Sequence, residues 1–303
     1  MKNVLILGGS GLLGTNLACY LRVHNNIILG MHKRVVDLPG CQSLVIQNIK
    51  SDLLHIIVKK NIQVVINTIG LTSVEKCEEN PQLSYEINVE AVKMITEVCE
   101  IASINLIQIS TDHLYSSEKK LLHNENSEVS PINTYGKHKL EGEKPVLMFE
   151  KGCVLRTNFF GIGSTYRKSF SDFILDKLKN EENISLFKDV FYTPVSTRTI
   201  SNVIIQIINN DLVGLFNISC NELITKLEFG VLLAKKFKLN DSLIDSISIT
   251  SKKNLVLRPH QMGLDNSKLR KVLPNIDLSL DTIIEEFYKD YSALEFNFIK
   301  NLI

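Results

Sequence analysis

Through its first two thirds the chain alternates short aliphatic and β-branched runs with longer stretches in which apolar positions recur at helical spacing. The runs are Asn3–Leu7, Asn26–Leu29, Ser43–Gln47, Gln63–Asn67, Asn105–Ser110 and Gly152–Arg156, and a helix-compatible segment follows each. Such alternation predicts βαβ units built around a parallel sheet. Two helix starts are legible. A capping-box pattern spans Thr72 and Glu75, and Asn80-Pro81 reads as N-cap and first residue of a long helix to about Ala102. Segment Ser116–Ser130 is polar, turn-rich and without periodicity, which predicts a surface loop leaving the sheet edge.

Beyond about Gly161 the pattern loosens. Helical stretches near Ser169–Lys179, Thr199–Ile208, Thr225–Phe237 and Leu280–Phe298 are separated by short extended pieces such as Ile184–Phe187 and Leu215–Ile218. The last helical stretch carries Ile283, Ile284, Phe287, Tyr291 and Leu294, and reads equally as a core helix or a dimer surface. Together the two patterns predict an α/β protein: a doubly wound parallel sheet over residues 1–160, with a smaller mixed α/β lobe over 161–303. The boundary is soft, because later segments are free to return to the sheet.

Composition narrows the function. The 303 residues are 44% hydrophobic and 22% charged, with 34 Lys+Arg against 33 Asp+Glu. That is a globular chain, and near-neutrality argues against a broad nucleic-acid face. No apolar run approaches the ~20 residues of a membrane span. Six cysteines in apolar contexts, without a Cys-x-x-Cys, fit buried thiols in a reducing compartment. The chain runs straight into a strand with no signal peptide, so a cytoplasmic enzyme is expected. His24, His55, His123 and His138 show no metal-ligand spacing, and no metal is expected. The paired lysines at 59–60, 119–120, 235–236 and 252–253 read as solvated faces. There is no Trp.

Gly8, Gly11 and Gly14 form a G-x-x-G-x-x-G loop, with Leu12 and Leu13 inside it, between a buried strand and an apolar helix. The first glycine permits a tight turn, the second lets backbone N–H groups approach a pyrophosphate, and the third lets helix and sheet pack closely. This is the dinucleotide-binding arrangement of a Rossmann-type sheet. About 20 residues on, an acid would bind the ribose 2′-hydroxyl of NAD; here the second strand runs into Lys33 and Arg34, and the first acid is Asp37. A basic pair there suits a 2′-phosphate and therefore NADPH, with NADH the alternative and a solvated loop cluster the bland reading.

A tyrosine can protonate a carbonyl oxygen, but its pKa near 10 needs help from a cation. A lysine four residues on in a helix shares its face and supplies that charge. Two Tyr-x-x-x-Lys pairs exist. Tyr115/Lys119 lies in the polar loop, where no helix would align it; Tyr135/Lys139 opens a helical segment behind Pro131. Position selects the second pair. Thr111 and Asp112 follow the strand Leu106–Ile109, at the carboxyl end where ligands bind in open α/β sheets. A Thr111 hydroxyl there can hold the carbonyl oxygen that Tyr135 protonates.

With these residues in chain order, the sequence resembles the extended short-chain dehydrogenase/reductases, and within them the dTDP-4-dehydrorhamnose reductases. The resemblance runs over nearly the whole chain. It rests on Gly8–Gly14, Asn67-Thr68-Ile69-Gly70, Glu86–Ala91, Ile109–Asp112, Ser130–Glu143, Arg156–Gly161, Thr193-Pro194, Arg258-Pro259 and Leu264–Leu269. It implies a Thr111/Tyr135/Lys139 triad, and a cofactor cleft that also includes Thr68, Ile69 and Gly70. It implies that Asn88 supports a proton-relay water and that Lys139 binds the nicotinamide ribose. A nucleotide-diphospho-sugar would sit against the C-terminal lobe, with Asp112, His113, Asn158, Phe159 and Arg258 as substrate candidates. Arg258 is offered for the diphosphate because a guanidinium pairs two oxygens at once.

Three departures bear on the substrate. Phe159 stands where the family usually carries Trp, His113 where an aromatic usually follows Thr-Asp, and Asn48 where an acid commonly contacts the adenine. His113 cannot act as the dehydratases' carboxylate does, which argues against 4,6-dehydration. The implied reaction is NADPH-dependent reduction of the 4-keto group of a nucleotide-activated 6-deoxy sugar, foremost dTDP-4-dehydrorhamnose to dTDP-rhamnose. The alternatives are an epimerase or other sugar-nucleotide oxidoreductase holding NAD tightly, and a non-catalytic nucleotide-binding regulatory subunit.

Overall fold

The computed structural model describes residues 1–115, 122–252, 255–293 and 296–302. Seven parallel strands form the main sheet: β1 (Asn3–Leu7), β2 (Asn26–Met31), β3 (Cys41–Val45), β4 (Val64–Asn67), β5 (Asn105–Ile109), β6 (Gly152–Thr157) and a late strand, Gly214–Ile218. Their order is late strand, β6, β5, β4, β1, β2, β3. The order reverses direction between β1 and β4, the switch point at which a crevice opens beyond the strand carboxyl ends.

Alternating side chains of each central strand feed opposite faces of the sheet. Val4 and Ile6 join the core under one layer of helices, whereas Leu5 and Leu7 join the core under the other. Fully burying an aliphatic side chain contributes roughly 1.5–3 kcal/mol, so a sheet with both faces covered needs the continuous apolar runs seen in the sequence.

Helices α1 (Leu12–Leu21), α2 (Ile49–Lys59), α3 (Val74–Glu79), α4 (Pro81–Tyr85), α5 (Ala91–Ile101) and α6 (Thr134–Met148) connect these strands. The lobe adds β7 (Phe159–Phe160), β8 (Ile184–Phe187), β9 (Phe191–Tyr192), β10 (Val195–Ser196), β11 (the late strand, Gly214–Ile218), β12 (Ile224–Thr225) and β13 (Ile244–Ile247). Its helices are α7 (Phe170–Lys179), α8 (Thr197–Asn209), α9 (Lys226–Lys236), α10 (Ser267–Val272), α11 (Leu280–Ser292) and α12 (Asn297–Lys300). Strand β11 crosses back to pair with β6, from Gly214 opposite Cys153 to Ile218 opposite Thr157.

The structure departs from the sequence reading in small, explicable ways. Strand β3 begins at Cys41, two residues before Ser43, because its register is dictated by β2, which pairs Ile27 with Cys41 and Met31 with Val45. Ser73, not Thr72, caps α3: its hydroxyl accepts the Lys76 N–H at 3.3 Å. The Asn80 cap and Pro81 start hold, with the Asn80 side-chain Oδ1 accepting the Leu83 N–H at 3.0 Å. The long helix, however, contains a π turn over Glu86–Glu90.

Tyr115, expected in a surface loop, is fully buried and stacks on His123 with ring centroids 4.1 Å apart. Lys119 and Lys120 of that segment, with Lys253 and Leu294, lie outside the described residues. In α11 Ile283, Ile284, Phe287 and Tyr291 are buried in the core. Five of the six cysteines are buried and Cys41 is half-buried, all of them as free thiols. Among the described residues no helix is long and apolar enough to cross a membrane, and no group of His, Cys, Asp or Glu could hold a metal ion.

Candidate active site

A cleft of about 1240 Å³ runs along the carboxyl ends of the strands, between sheet and lobe. At one part of it the chain leaves β1 through Gly8, whose φ of +80° lies in the left-handed region that favours glycine. The Gly8 and Gly9 N–H groups both donate to the Gly30 carbonyl, at 3.0 and 3.1 Å. This ties the loop to the end of β2. A Cβ on Gly14 would overlap the Gly8 carbonyl oxygen, so the third glycine is what lets α1 pack against the turn.

The N-cap of α1 is Gly11, with no side-chain acceptor for the first-turn N–H groups. Those open donors at a positive helix end are an anion cradle. Ser10, Gly11, Leu12 and Leu13 line the cleft there, joined by Thr68, Ile69 and Gly70 from the end of β4. The Thr68 hydroxyl donates to the Leu7 carbonyl at 2.7 Å, which locks the two loops together.

Arg34 also lines the cleft, its guanidinium 4.0 Å from the centroid of the Tyr166 ring. Tyr166 in turn donates to the Ser10 carbonyl at 2.8 Å, so a lobe residue holds Arg34 beside the glycine loop. Lys33 is exposed and not among the lining residues. Asn48 is the N-cap of α2, accepting the Lys50 and Ser51 N–H groups at 2.9 and 3.2 Å, and does not line the cleft. The structure therefore brings Arg34 to the cofactor cleft and leaves the other two outside it.

Thr111, Tyr135 and Lys139 line one wall. Thr111 and Asp112 follow β5 after the single residue Ser110. Asn133 caps α6 by accepting the Gly136 N–H at 2.8 Å. Glu78 holds the same turn through the Thr134 N–H and hydroxyl at 2.6 and 2.8 Å. Tyr135 and Lys139 thus emerge one turn apart on a helix anchored at its start.

The Lys139 ammonium donates to the Ile109 carbonyl at 2.7 Å. Burial pulls its pKa down to about 8, with Glu143 opposing the fall. Burial raises the Tyr135 hydroxyl above the ordinary tyrosine range; its hydrogen bond with Thr111 acts in the opposite sense and the Asp112 charge adds to the rise. Tyr135 is therefore protonated at neutral pH and able to donate.

Asp112 accepts from the Asn158 amide at 2.6 Å. The His113 ring meets Tyr135 edge-on, with centroids 5.5 Å apart, and burial lowers its pKa, so it is neutral. Phe159 and Arg258 line the cleft as well; Arg258 is paired with Glu75, and its Nε has no partner among the described residues. Asn88 sits in the π turn and spends its amide on the loop after β4. It accepts the Leu71 N–H at 3.2 Å and donates to the Leu71 carbonyl at 3.1 Å.

Residues not singled out from sequence complete the site. Glu143, one turn beyond Lys139, is 1% exposed and binds Arg156 through two guanidinium nitrogens and the Ser110 hydroxyl. The Glu in the segment through Glu143 was visible, but nothing local indicated a buried partner 13 residues on. Tyr166, Phe170 and Lys226 come from the lobe, and only the tertiary fold delivers them to the cleft.

Comparison with known proteins places this arrangement. The family model described as RmlD substrate binding domain matches residues 1–292. The dTDP-4-dehydrorhamnose reductase of Aggregatibacter actinomycetemcomitans is 26% identical over 285 residues, covering 89% of this chain and 93% of that protein. A hypothetical dTDP-4-dehydrorhamnose reductase from Sulfolobus tokodaii superposes with a TM-score of 0.78 at 28% identity, over 92% of this chain and 97% of that one. The Bacillus anthracis dTDP-4-dehydrorhamnose reductase in complex with NADP has the same fold, with a TM-score of 0.79 at 21% identity over 95% and 99% of the two chains.

Proposed function

The chain belongs to the RmlD substrate-binding-domain family, and from that premise we propose that it is an NADPH-dependent reductase of the 4-keto group of a nucleotide-activated 6-deoxy sugar. The foremost substrate is dTDP-4-dehydrorhamnose, the compound in its relatives' names. The observation that carries the reading is one continuous cleft lined by the glycine loop, Arg34, Thr111, Tyr135 and Lys139.

The cradle fits the cofactor. Gly14 leaves no room for a Cβ, Gly11 leaves the helix donors open, and Arg34 stands where a 2′-phosphate would need a cation. When bound, NADPH supplies the hydride for the keto carbon. Tyr135 delivers the proton to the oxygen that becomes the hydroxyl, and Thr111 orients that oxygen. Lys139 contributes positive charge beside the proton donor. Its hold on the Ile109 carbonyl fixes the ammonium at the carboxyl end of β5. Asp112, His113 and Asn158 border the sugar.

NADPH oxidation measured against a panel of dTDP-, GDP- and UDP-linked 4-keto-6-deoxy sugars tests the proposal. Turnover with at least one of them is expected. No turnover with any, alongside tight NADPH binding, would overturn it.

A further inference from the structure

Lys226 is the first residue of α9, next to the Thr225 cap, whose hydroxyl accepts the Glu228 N–H at 3.0 Å. A cation at a helix N-terminus faces the positive end of the helix dipole and gains nothing from it. Its side chain lines the cleft. Beneath it lie two aromatic rings, Tyr192 with its centroid 3.3 Å from the ammonium and Phe170 at 5.0 Å. Among the described residues the ammonium has no hydrogen-bond acceptor and no ion pair. A long cation held over rings without an oxygen partner keeps its three donors for something else.

Its neighbours are short of acceptors too. His113 Nδ1 and Arg258 Nε, both on cleft-lining residues, are buried without a partner among the described residues. The Asp112 charge supports the proton on Lys226, while burial and the nearby Arg258 charge pull its pKa down to about 7. The region beside the Thr111–Asp112 turn therefore holds unpartnered polar groups, among them the Lys226 and Arg258 donors, and such donors are completed by acceptor oxygens of a ligand.

We infer that Lys226 is a substrate-selecting residue, whose ammonium donates to an acceptor oxygen of the bound sugar nucleotide, a phosphate oxygen or a ring hydroxyl, beside the reacting carbonyl. This rests on the reductase reading for the identity of the ligand. Tyr192 and Phe170 lie under its ammonium, and the Asp112 charge favours its protonated form. The contacts described for its ammonium are with lobe rings and not with the glycine loop, so its loss is expected to leave the cofactor side intact.

The test compares wild type with Lys226→Met and Lys226→Arg, measuring KM and kcat for a dTDP-4-keto-6-deoxy sugar, NADPH binding, and dTDP binding by titration. Lys226→Met is expected to raise KM by about tenfold or more, the size of a lost charged hydrogen bond, with NADPH affinity unchanged and partial recovery in Lys226→Arg. A parallel loss of dTDP affinity assigns the contact to a phosphate; unchanged dTDP affinity assigns it to the sugar. An unchanged KM, or equal losses of NADPH and substrate affinity in both variants, overturns the inference. Wild-type protein that binds dTDP but reduces no keto sugar overturns the reductase reading alone. The dTDP titration of Lys226→Met then decides the lysine, unchanged affinity counting against it.

Discussion

Glu143 and Arg156 form a buried ion pair, Oε2 to Nη2 at 2.7 Å and Oε1 to Nε at 3.0 Å, that joins the helix carrying Tyr135 and Lys139 to the strand beside Thr111. The side chains are 1% and 5% exposed, so neither charge has water to fall back on. Ser110, immediately before Thr111, donates to the same carboxylate, and Arg156 also donates to the Tyr115 hydroxyl at 2.9 Å. One carboxylate thus ties the helix of Tyr135 and Lys139 to the turn that holds Thr111.

Glu143→Gln keeps the shape and removes the charge. It leaves Arg156 buried without its counter-ion, and breaking such a pair costs roughly 3–5 kcal/mol, readable as a lower urea midpoint. The substitution also acts on Lys139. That lysine's pKa of about 8 lies below its ordinary value, so its charge is present below pH 8 and lost as pH rises through it. NADPH affinity is expected to be flat at lower pH and to fall above about 8. Because Glu143 raises the lysine's pKa, Glu143→Gln should move that limb to lower pH. An unmoved limb in a folded variant would separate the ion pair from Lys139.

Tyr135→Phe removes the hydroxyl that we propose as the proton donor and keeps the ring against His113. Loss of a positioned acid costs roughly 10²–10⁴ in rate, so kcat for keto-sugar reduction should collapse by that factor. NADPH binding, followed by quenching or enhancement of nicotinamide fluorescence, should remain. The wild-type tyrosine is raised by burial, so its deprotonation should not set the basic limb of the wild-type profile. Near-normal turnover in Tyr135→Phe would remove Tyr135 from the chemistry.

Much of the site is legible in the sequence because its parts are local. A strand, three glycines and a helix occupy residues 3–21, and the turn, helix and carboxyl-end positions of Gly8, Thr111 and Tyr135 all follow from short-range pattern. The residues that escaped notice are those that act across the fold. Lys226 lies 114 residues from Asp112, in a helical stretch whose paired lysines at 235–236 read as a solvated face. Tyr166 reaches Arg34 only once the lobe packs on the sheet. Asn48 and Lys33 show the converse: nearness in sequence to a cofactor motif does not bring a side chain to the cleft, since Asn48 caps α2 instead.

Gly14→Ala tests the cradle. The added Cβ would overlap the Gly8 carbonyl oxygen and approach the Gly9 Cα at 3.0 Å, and backbone atoms cannot swing aside as a side-chain tip can. Helix α1 must shift outward or the loop must open, so overpacking of roughly 1–3 kcal/mol is expected. The distinguishing result is a loss of NADPH affinity larger than any loss of substrate-nucleotide affinity, read by titrating each ligand separately. Equal losses would mean a general loosening of the fold.

On the reductase reading, Arg34 is the residue expected to set the cofactor preference, since it lines the cleft beside the glycine loop. Its guanidinium lies over the Tyr166 ring, which is tied to the Ser10 carbonyl, so the ring keeps it beside the glycine loop. A guanidinium can pair two phosphate oxygens, an interaction the 2′-hydroxyl of NADH cannot match. Arg34→Ala is expected to weaken NADPH binding by about tenfold or more, the scale of a lost charged hydrogen bond, and to leave NADH binding nearly unchanged. Lys33→Ala, at an exposed position outside the cleft, should change the NADPH/NADH ratio little. Tyr166→Leu should reproduce part of the Arg34 effect, because the arginine loses the ring that orients it. Isothermal titration of both cofactors against the three variants checks the set, and an unchanged ratio in Arg34→Ala would move the source of cofactor preference elsewhere in the cleft.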